Sequence, residues 1–170
     1  DIWTYSRINC QRTTPYLNEW HEKYKDKGLV IIGVHTPEFE FEKVYQNVLE
    51  ATKKLGIKYP VILDNDYSTW NAYQNRFWPR KYLIDIDGYI VYDHAGEGNY
   101  DETERAIQAA LKERADRLHM PLSSVSSDIS DIHPIDLSGI RSPETYFGSS
   151  RNDFLGNGDS GTTGMRLFVL

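Results

Sequence analysis

Cys10 is the one cysteine in this 170-residue chain. It stands in the stretch WTYSRINCQRTTPY, with Arg7 three positions before it. Two-sulfur exchange chemistry wants its second cysteine at that spacing. The stretch reads as a strand (DIWTYS) passing into a helix, which places Cys10 in the helix's first turn. Free backbone N–H groups and the positive end of the helix dipole favour an anion there, so a thiol so placed becomes a better nucleophile. The competing reading is an inert core cysteine, because free cysteine is among the most buried residue types. Arg7 can neither attack nor resolve a disulfide: its guanidinium stays charged and only donates hydrogen bonds. Close to Cys10 it would lower the thiol pKa. It would also cover the site by stacking on Trp3, Tyr5 or Trp78.

Other chemistries are poorly supported. The five histidines (His21, His35, His94, His119, His133) are scattered and show no metal-ligand spacing with Cys10 or a carboxylate. No cofactor is expected. Asp64, Asp66, Asp85 and Asp87 fall at strand ends and turns, where turn chemistry accounts for them. HAGEGNYDETE is glycine-rich but lacks the spacing of a phosphate-binding loop. Asp101 with Glu104 three residues later reads instead as a capping box for a last helix. The net charge of −6 argues against a nucleic-acid partner held through phosphates.

The elements that must position Cys10 follow from periodicity. A helix over residues 9–27 carries Cys10, Leu17, Trp20 and Tyr24 at helical spacing, encloses Pro15 and ends at Gly28. LVIIGVHT (29–36) reads as a strand buried on both faces. A helix over 39–55 follows, then the strand YPVILD (59–64) and a short helix over 68–73. KYLID and YIVYDH form a hairpin about Asp87-Gly88, and DETERAIQAALKERADR (101–117) forms the final helix. Strands alternating with helices and then a hairpin predict an α/β fold, a central mixed β-sheet flanked by helices. The opening DIWTYS is strand-like from its first residue. A strand or hairpin preceding Asp1 would leave this piece with an exposed sheet edge, and so a risk of dimerisation.

Residues 118–140 are Ser-rich and read as a linker, and 141–170 as a largely irregular tail too short to bury a core alone. The domain proper is thus 1–117.

Several blocks together resemble a known family. DIWTYSRINCQRTTPYL is similar to the active-site segment of thioredoxin-like proteins of the TlpA/ResA kind. It is most similar to the thioredoxin-like domain of DipZ-type cytochrome c biogenesis proteins, whose motif runs F-W-T-Y-S-C-I-N-C. GLVIIGVHTPEFEFEK and GIKYPVILDNDYSTWNAYQNRFWPRKYLIDIDGYIVYDHAGEGNYDETE match further blocks in order, so the resemblance covers about residues 1–116.

The resemblance implies a thioredoxin-like fold and thiol–disulfide oxidoreductase ancestry. It places Cys10 at the resolving cysteine, and Arg7 where the nucleophilic cysteine belongs. Trp3 matches the tryptophan beside the site, and Pro79 the proline that follows a cis peptide bond; Trp78 and Pro79 then wall a substrate groove. Asp1 stands where many relatives carry a proton-relaying carboxylate. Dithiol exchange is therefore expected to be lost or impaired. A polypeptide-binding module using the same groove is the alternative, and a single-cysteine peroxidase or mixed-disulfide carrier the third reading. Expected partners are protein thiols, disulfides or extended polypeptide, on the extracytoplasmic side, with a membrane electron-transfer module elsewhere in the full protein. RSPETYFG in the tail resembles the start of a carbohydrate-binding-like β-sandwich, which would bring a carbohydrate partner.

Overall fold

A computed structural model describes residues 1–120 and 128–130. Its elements are β1 (Ile2–Trp3), α1 (Ile8–Tyr24), β2 (Gly33–His35), α2 (Tyr45–Lys54), β3 (Val61–Leu63), α3 (Ser68–Ala72), β4 (Arg80–Ile84), β5 (Ile90–Ala95) and α4 (Tyr100–Arg117). They form one five-stranded sheet in the order β3-β2-β1-β4-β5. β1, β2 and β3 run parallel, whereas β4 is antiparallel to both β1 and β5. This is the mixed sheet the sequence predicts. The tail and most of the linker lie outside the described residues.

α1 and α4 supply much of the core. Tyr16, Leu17, Trp20 and Tyr24 of α1 meet Ile107 and Leu111 of α4, with Ile31 and Tyr59 closing the cluster. Tyr16 and Tyr100 stack with ring centroids 3.5 Å apart. Pro15 sits inside α1 and removes one N–H from its ladder. A 3₁₀ turn, Lys25–Lys27, ends the helix at Gly28, whose φ of +110° suits glycine.

The structure corrects three expectations. The strand over 29–36 is realised only as β2, and Val30 is 75% exposed. Its neighbour β1 starts opposite Val34, so residues 29–32 have little strand beside them. The helix over 39–55 is broken: a 3₁₀ turn, Glu40–Lys43, is followed by extended Val44 (ψ 115°), and α2 starts only at Tyr45. Finally, the N-cap position of α4 is Asn99, left-handed and making no side-chain cap bond, and Asp101 lies inside the helix.

Glu104 is also no capping-box partner. It is 1% exposed, and its carboxylate accepts bonds from Lys23 Nζ (2.8 Å), Tyr24 Oη (2.7 Å) and both the amide and hydroxyl of Ser130. Burial pushes its carboxyl up, but the bonds from Lys23, Ser130 and Tyr24 outweigh that and hold it below its ordinary range. The segment 128–130 is thereby tied to α1 and α4. Glu104→Gln is expected to cost about 2 kcal/mol in urea unfolding, since one acceptor becomes a donor inside a donor-filled site. It should also speed hydrogen exchange at the Ser130 amide. Unchanged values for both would refute this anchor.

Candidate active site

The site forms where β1 runs into α1. Arg7 is the N-cap residue of α1 and has extended backbone. Its Nε and Nη2 donate to the two Glu38 oxygens at 2.6 Å each, a bidentate pair. The guanidinium carbon lies 5.2 Å from the centre of the Trp78 ring. Trp78 is one of the stacking partners open to Arg7 in the sequence. Arg7 and Glu38 side chains are 28% and 25% exposed, so the pair lies at the surface and stays partly screened.

Cys10 lies below, 2% exposed. Burial pushes its thiol up to about 12; a hydrogen bond from the Thr4 backbone and the Arg7 charge pull the other way without prevailing. The helix-terminus activation open to this residue in the sequence is outweighed by desolvation. At neutral pH the sulfur is a thiol.

Trp78 and Pro79 are joined by a cis peptide bond, and Pro79 is fully buried. Trp78 Nε1 donates to the Thr36 carbonyl at 3.0 Å, and its ring lies 4.1 Å from that of Trp70. The indole is thus fixed on one edge while its face meets Arg7. Trp3 is buried, its ring edge-on to His35 at 5.2 Å. Asp1 lines a cavity together with Lys81, and its Oδ1 is buried without a hydrogen-bond partner. Arg7 thus meets Trp78 just ahead of the cis-proline, while Cys10 lies buried three residues further along the chain in the first turn of α1.

Sequence reasoning missed the polar layer under Arg7. Glu42 is fully buried and accepts from Thr4 Oγ1 (2.5 Å), Ser6 Oγ (2.6 Å) and the amides of Glu38 and Phe39 (2.6 and 2.9 Å). Burial raises its carboxyl, but these four bonds outweigh it and hold it below the usual range. His35 is buried beside Thr4, stacks on Tyr5, and accepts the Tyr5 N–H at Nε2. Burial drives its pKa down to about 4, so it is neutral. Lys81, two residues beyond Pro79, is likewise buried and pushed down to about 8 by desolvation. Its ammonium donates to the Gly96 carbonyl at 3.1 Å. Among the described residues no cluster of His, Cys, Asp and Glu could hold a metal ion.

The chain matches the redoxin family model over residues 9–111. It is 43% identical over 168 residues to Protein DipZ of Mycobacterium bovis, which covers 99% of this chain but 24% of that protein. It thus spans about a quarter of that relative's length. The thiol-disulfide oxidoreductase YkuV of Bacillus subtilis is 27% identical over 112 residues, 66% of this chain and 75% of YkuV. Among solved structures, the pneumococcal exposed lipoprotein thioredoxin Etrx1 of Streptococcus pneumoniae superposes with a TM-score of 0.53. The superposition is at 26% identity and covers 66% of this chain and 80% of Etrx1. With a mixed sheet, a cysteine in the first turn of α1 and a cis-proline between the rings and β4, the chain belongs to the redoxin family of thioredoxin-like proteins.

Proposed function

We propose that this is an extracytoplasmic thioredoxin-like domain of thiol–disulfide oxidoreductase ancestry whose dithiol exchange is lost at the attacking position. The observation that carries this reading is the seating of Arg7. The attacking position is filled by a guanidinium clamped between Glu38 and Trp78, above a buried thiol. Exchange needs one thiolate to attack a substrate disulfide and a second to displace the first from the mixed disulfide. With no sulfur at position 7 the first step has no nucleophile, and Cys10 is protonated and shielded from replacing it. The DipZ and Etrx1 likenesses support an extracytoplasmic setting and protein thiols or disulfides as ancestral substrates.

A second reading is a non-catalytic module that docks extended polypeptide near the cis-proline, resting on the cis peptide bond and the partly buried Trp78 before it. In this reading Trp78 would supply the groove wall ahead of the buried Pro79, with Arg7 standing over its ring. Asp1 as a proton relay for Cys10 belongs to the ancestral reaction and has no work in either reading. The single-cysteine peroxidase or carrier is disfavoured by the burial of Cys10 and its pKa near 12.

The test is twofold. The unaltered chain should not reduce insulin disulfides above the dithiothreitol background. Native Cys10 should react with iodoacetamide at neutral pH at least about a hundredfold more slowly than an exposed thiol, from burial and the thiolate fraction alone. Labelling at a free-thiol rate, or insulin turnover, would overturn the reading.

A further inference from the structure

Past the Arg7–Glu38 pair the surface turns aromatic. Phe39 and Phe41 are 51% and 50% exposed, yet their rings lie parallel, with 5.5 Å between centroids and 8° between planes. Tyr5 meets Phe41 edge-on at 6.2 Å and stacks on buried His35 at 5.5 Å. The rings thus form a row, anchored in the interior at His35 and ending in solvent at Phe39. A single exposed phenylalanine is ordinary, whereas a contiguous exposed patch marks a contact surface.

The row is set before anything binds. The Glu38 and Phe39 amides both donate to the buried Glu42 carboxylate. Asn47 Nδ2 donates to the Phe41 carbonyl at 2.9 Å, and the Glu42 amide to the Phe39 carbonyl at 3.1 Å. The backbone under the rings needs no ordering on contact, so an occupant keeps more of its contact energy.

Charge selects the occupant. Segment 38–43 carries Glu38, Glu40 and Glu42 against Lys43. Arg7 joins at Glu38. The donors that hold Glu42 are two hydroxyls and two amides, none of them a cation. Its charge reaches the surface: the Tyr5 phenol is pushed up by burial and then by Glu42, against a bond with Asn47. Glu40 falls between the two phenylalanines in sequence, and its side chain is 87% exposed. Its 2.6 Å pair with Lys43 is a surface contact of little worth, so Glu40 can exchange Lys43 for an incoming cation. Ring faces attract cations, and the chain's net charge of −6 draws them from a distance. A guanidinium is flat, always charged and weakly hydrated, so it suits rings beside a carboxylate better than an ammonium does.

We propose that the Phe39–Phe41 platform docks an arginine-bearing extended segment of a partner polypeptide, its guanidinium groups lying on the rings and one of them pairing with Glu40. Alternate side chains of an extended strand stand about 7 Å apart. Arginines at alternate positions therefore reach both rings. This surface makes no use of the cis-proline, so the proposal stands apart from polypeptide docking at Trp78.

The test titrates the unaltered chain with three capped peptides, Gly-Ser-X-Ser-X-Ser-Gly, in which X is arginine, lysine or leucine, and reads NMR shifts. The arginine peptide should move the Phe39 and Phe41 ring protons and leave the Trp78 indole N–H in place. It should bind at least about tenfold more tightly than the leucine peptide, with lysine between them. Phe39→Leu with Phe41→Leu keeps the surface apolar and should weaken the arginine peptide about tenfold. Glu40→Gln should weaken it about twofold and flatten its salt dependence. Circular dichroism checks that each variant is folded. Equal binding of the arginine and leucine peptides, or full affinity in the double leucine variant, would overturn the proposal. So would shifts confined to Trp78, which would move the peptide to the cis-proline side. Ring shifts that grow with protein concentration alone would assign the platform to a second copy and overturn it too.

Discussion

Arg7→Cys gives a chain that reduces insulin disulfides with dithiothreitol, at least about a hundredfold above the unaltered protein, since removing a nucleophile costs far more than that. The substitution places a sulfur at the N-cap of α1, three residues before Cys10 and on the side where Arg7 meets Trp78. Arg7 is partly exposed while Cys10 is buried, so the new thiol meets solvent where the old one does not. The helix terminus lowers its pKa. Cys10 then serves as the resolving thiol, and after one turnover the oxidised chain holds a disulfide that dithiothreitol reduces. The substitution also removes the partner of Glu38, whose carboxylate would raise the pKa of a thiol beside it. Arg7→Cys with Glu38→Gln should therefore be faster than Arg7→Cys alone at neutral pH. An inactive Arg7→Cys chain that stays folded would move the balance to the polypeptide-binding reading.

Glu42→Ala should be the most destabilising single change near the site, costing roughly 3–4 kcal/mol because two hydroxyls and two amides lose one acceptor inside the protein. Urea unfolding measures it, and a loss under about 1 kcal/mol would mean that water takes over the acceptor role. The same carboxylate gives a signed pH dependence. Its folded pKa lies below the unfolded value, so the stability it lends is complete above the unfolded pKa. That stability drains away as pH falls through the folded pKa. The unaltered chain should thus lose stability in acid more steeply than Glu42→Ala, and parallel curves for the two would refute the assignment.

Much of the site was readable because its parts sit in short stretches with local signals. Cys10 and Arg7 share one strand-to-helix passage, and Trp78-Pro79 lies in a block that matches relatives throughout. What stayed hidden is assembled across distance. Glu42 reaches Thr4 and Ser6 from 38 and 36 positions away, and Glu38 reaches Arg7 from 31. A glutamate in the run EFEFEK looks like any solvated charge until the chain turns it inward. Element errors have the same origin. Residues 29–32 have strand composition, but a strand exists only where a neighbour pairs with it. Phe41, Val44 and Val48 keep helical spacing, yet Val44 is extended, since a 3₁₀ turn here brings Glu42 under the site. Glu104 fits a capping box by spacing alone, and the tertiary partners Lys23 and Tyr24 outbid the local one.

The depth of Cys10 has a further consequence. A lone sulfur that solvent barely touches is a gauge of how often the first turn of α1 lets go of β1. Its labelling rate is the rate for an unprotected thiol multiplied by the fraction of time the turn stands open, so each tenfold slowing corresponds to about 1.4 kcal/mol of local opening free energy. Followed in variants of Glu42, Trp78 or Glu104, the labelling rate of this one native sulfur would map which parts of the fold keep that turn shut.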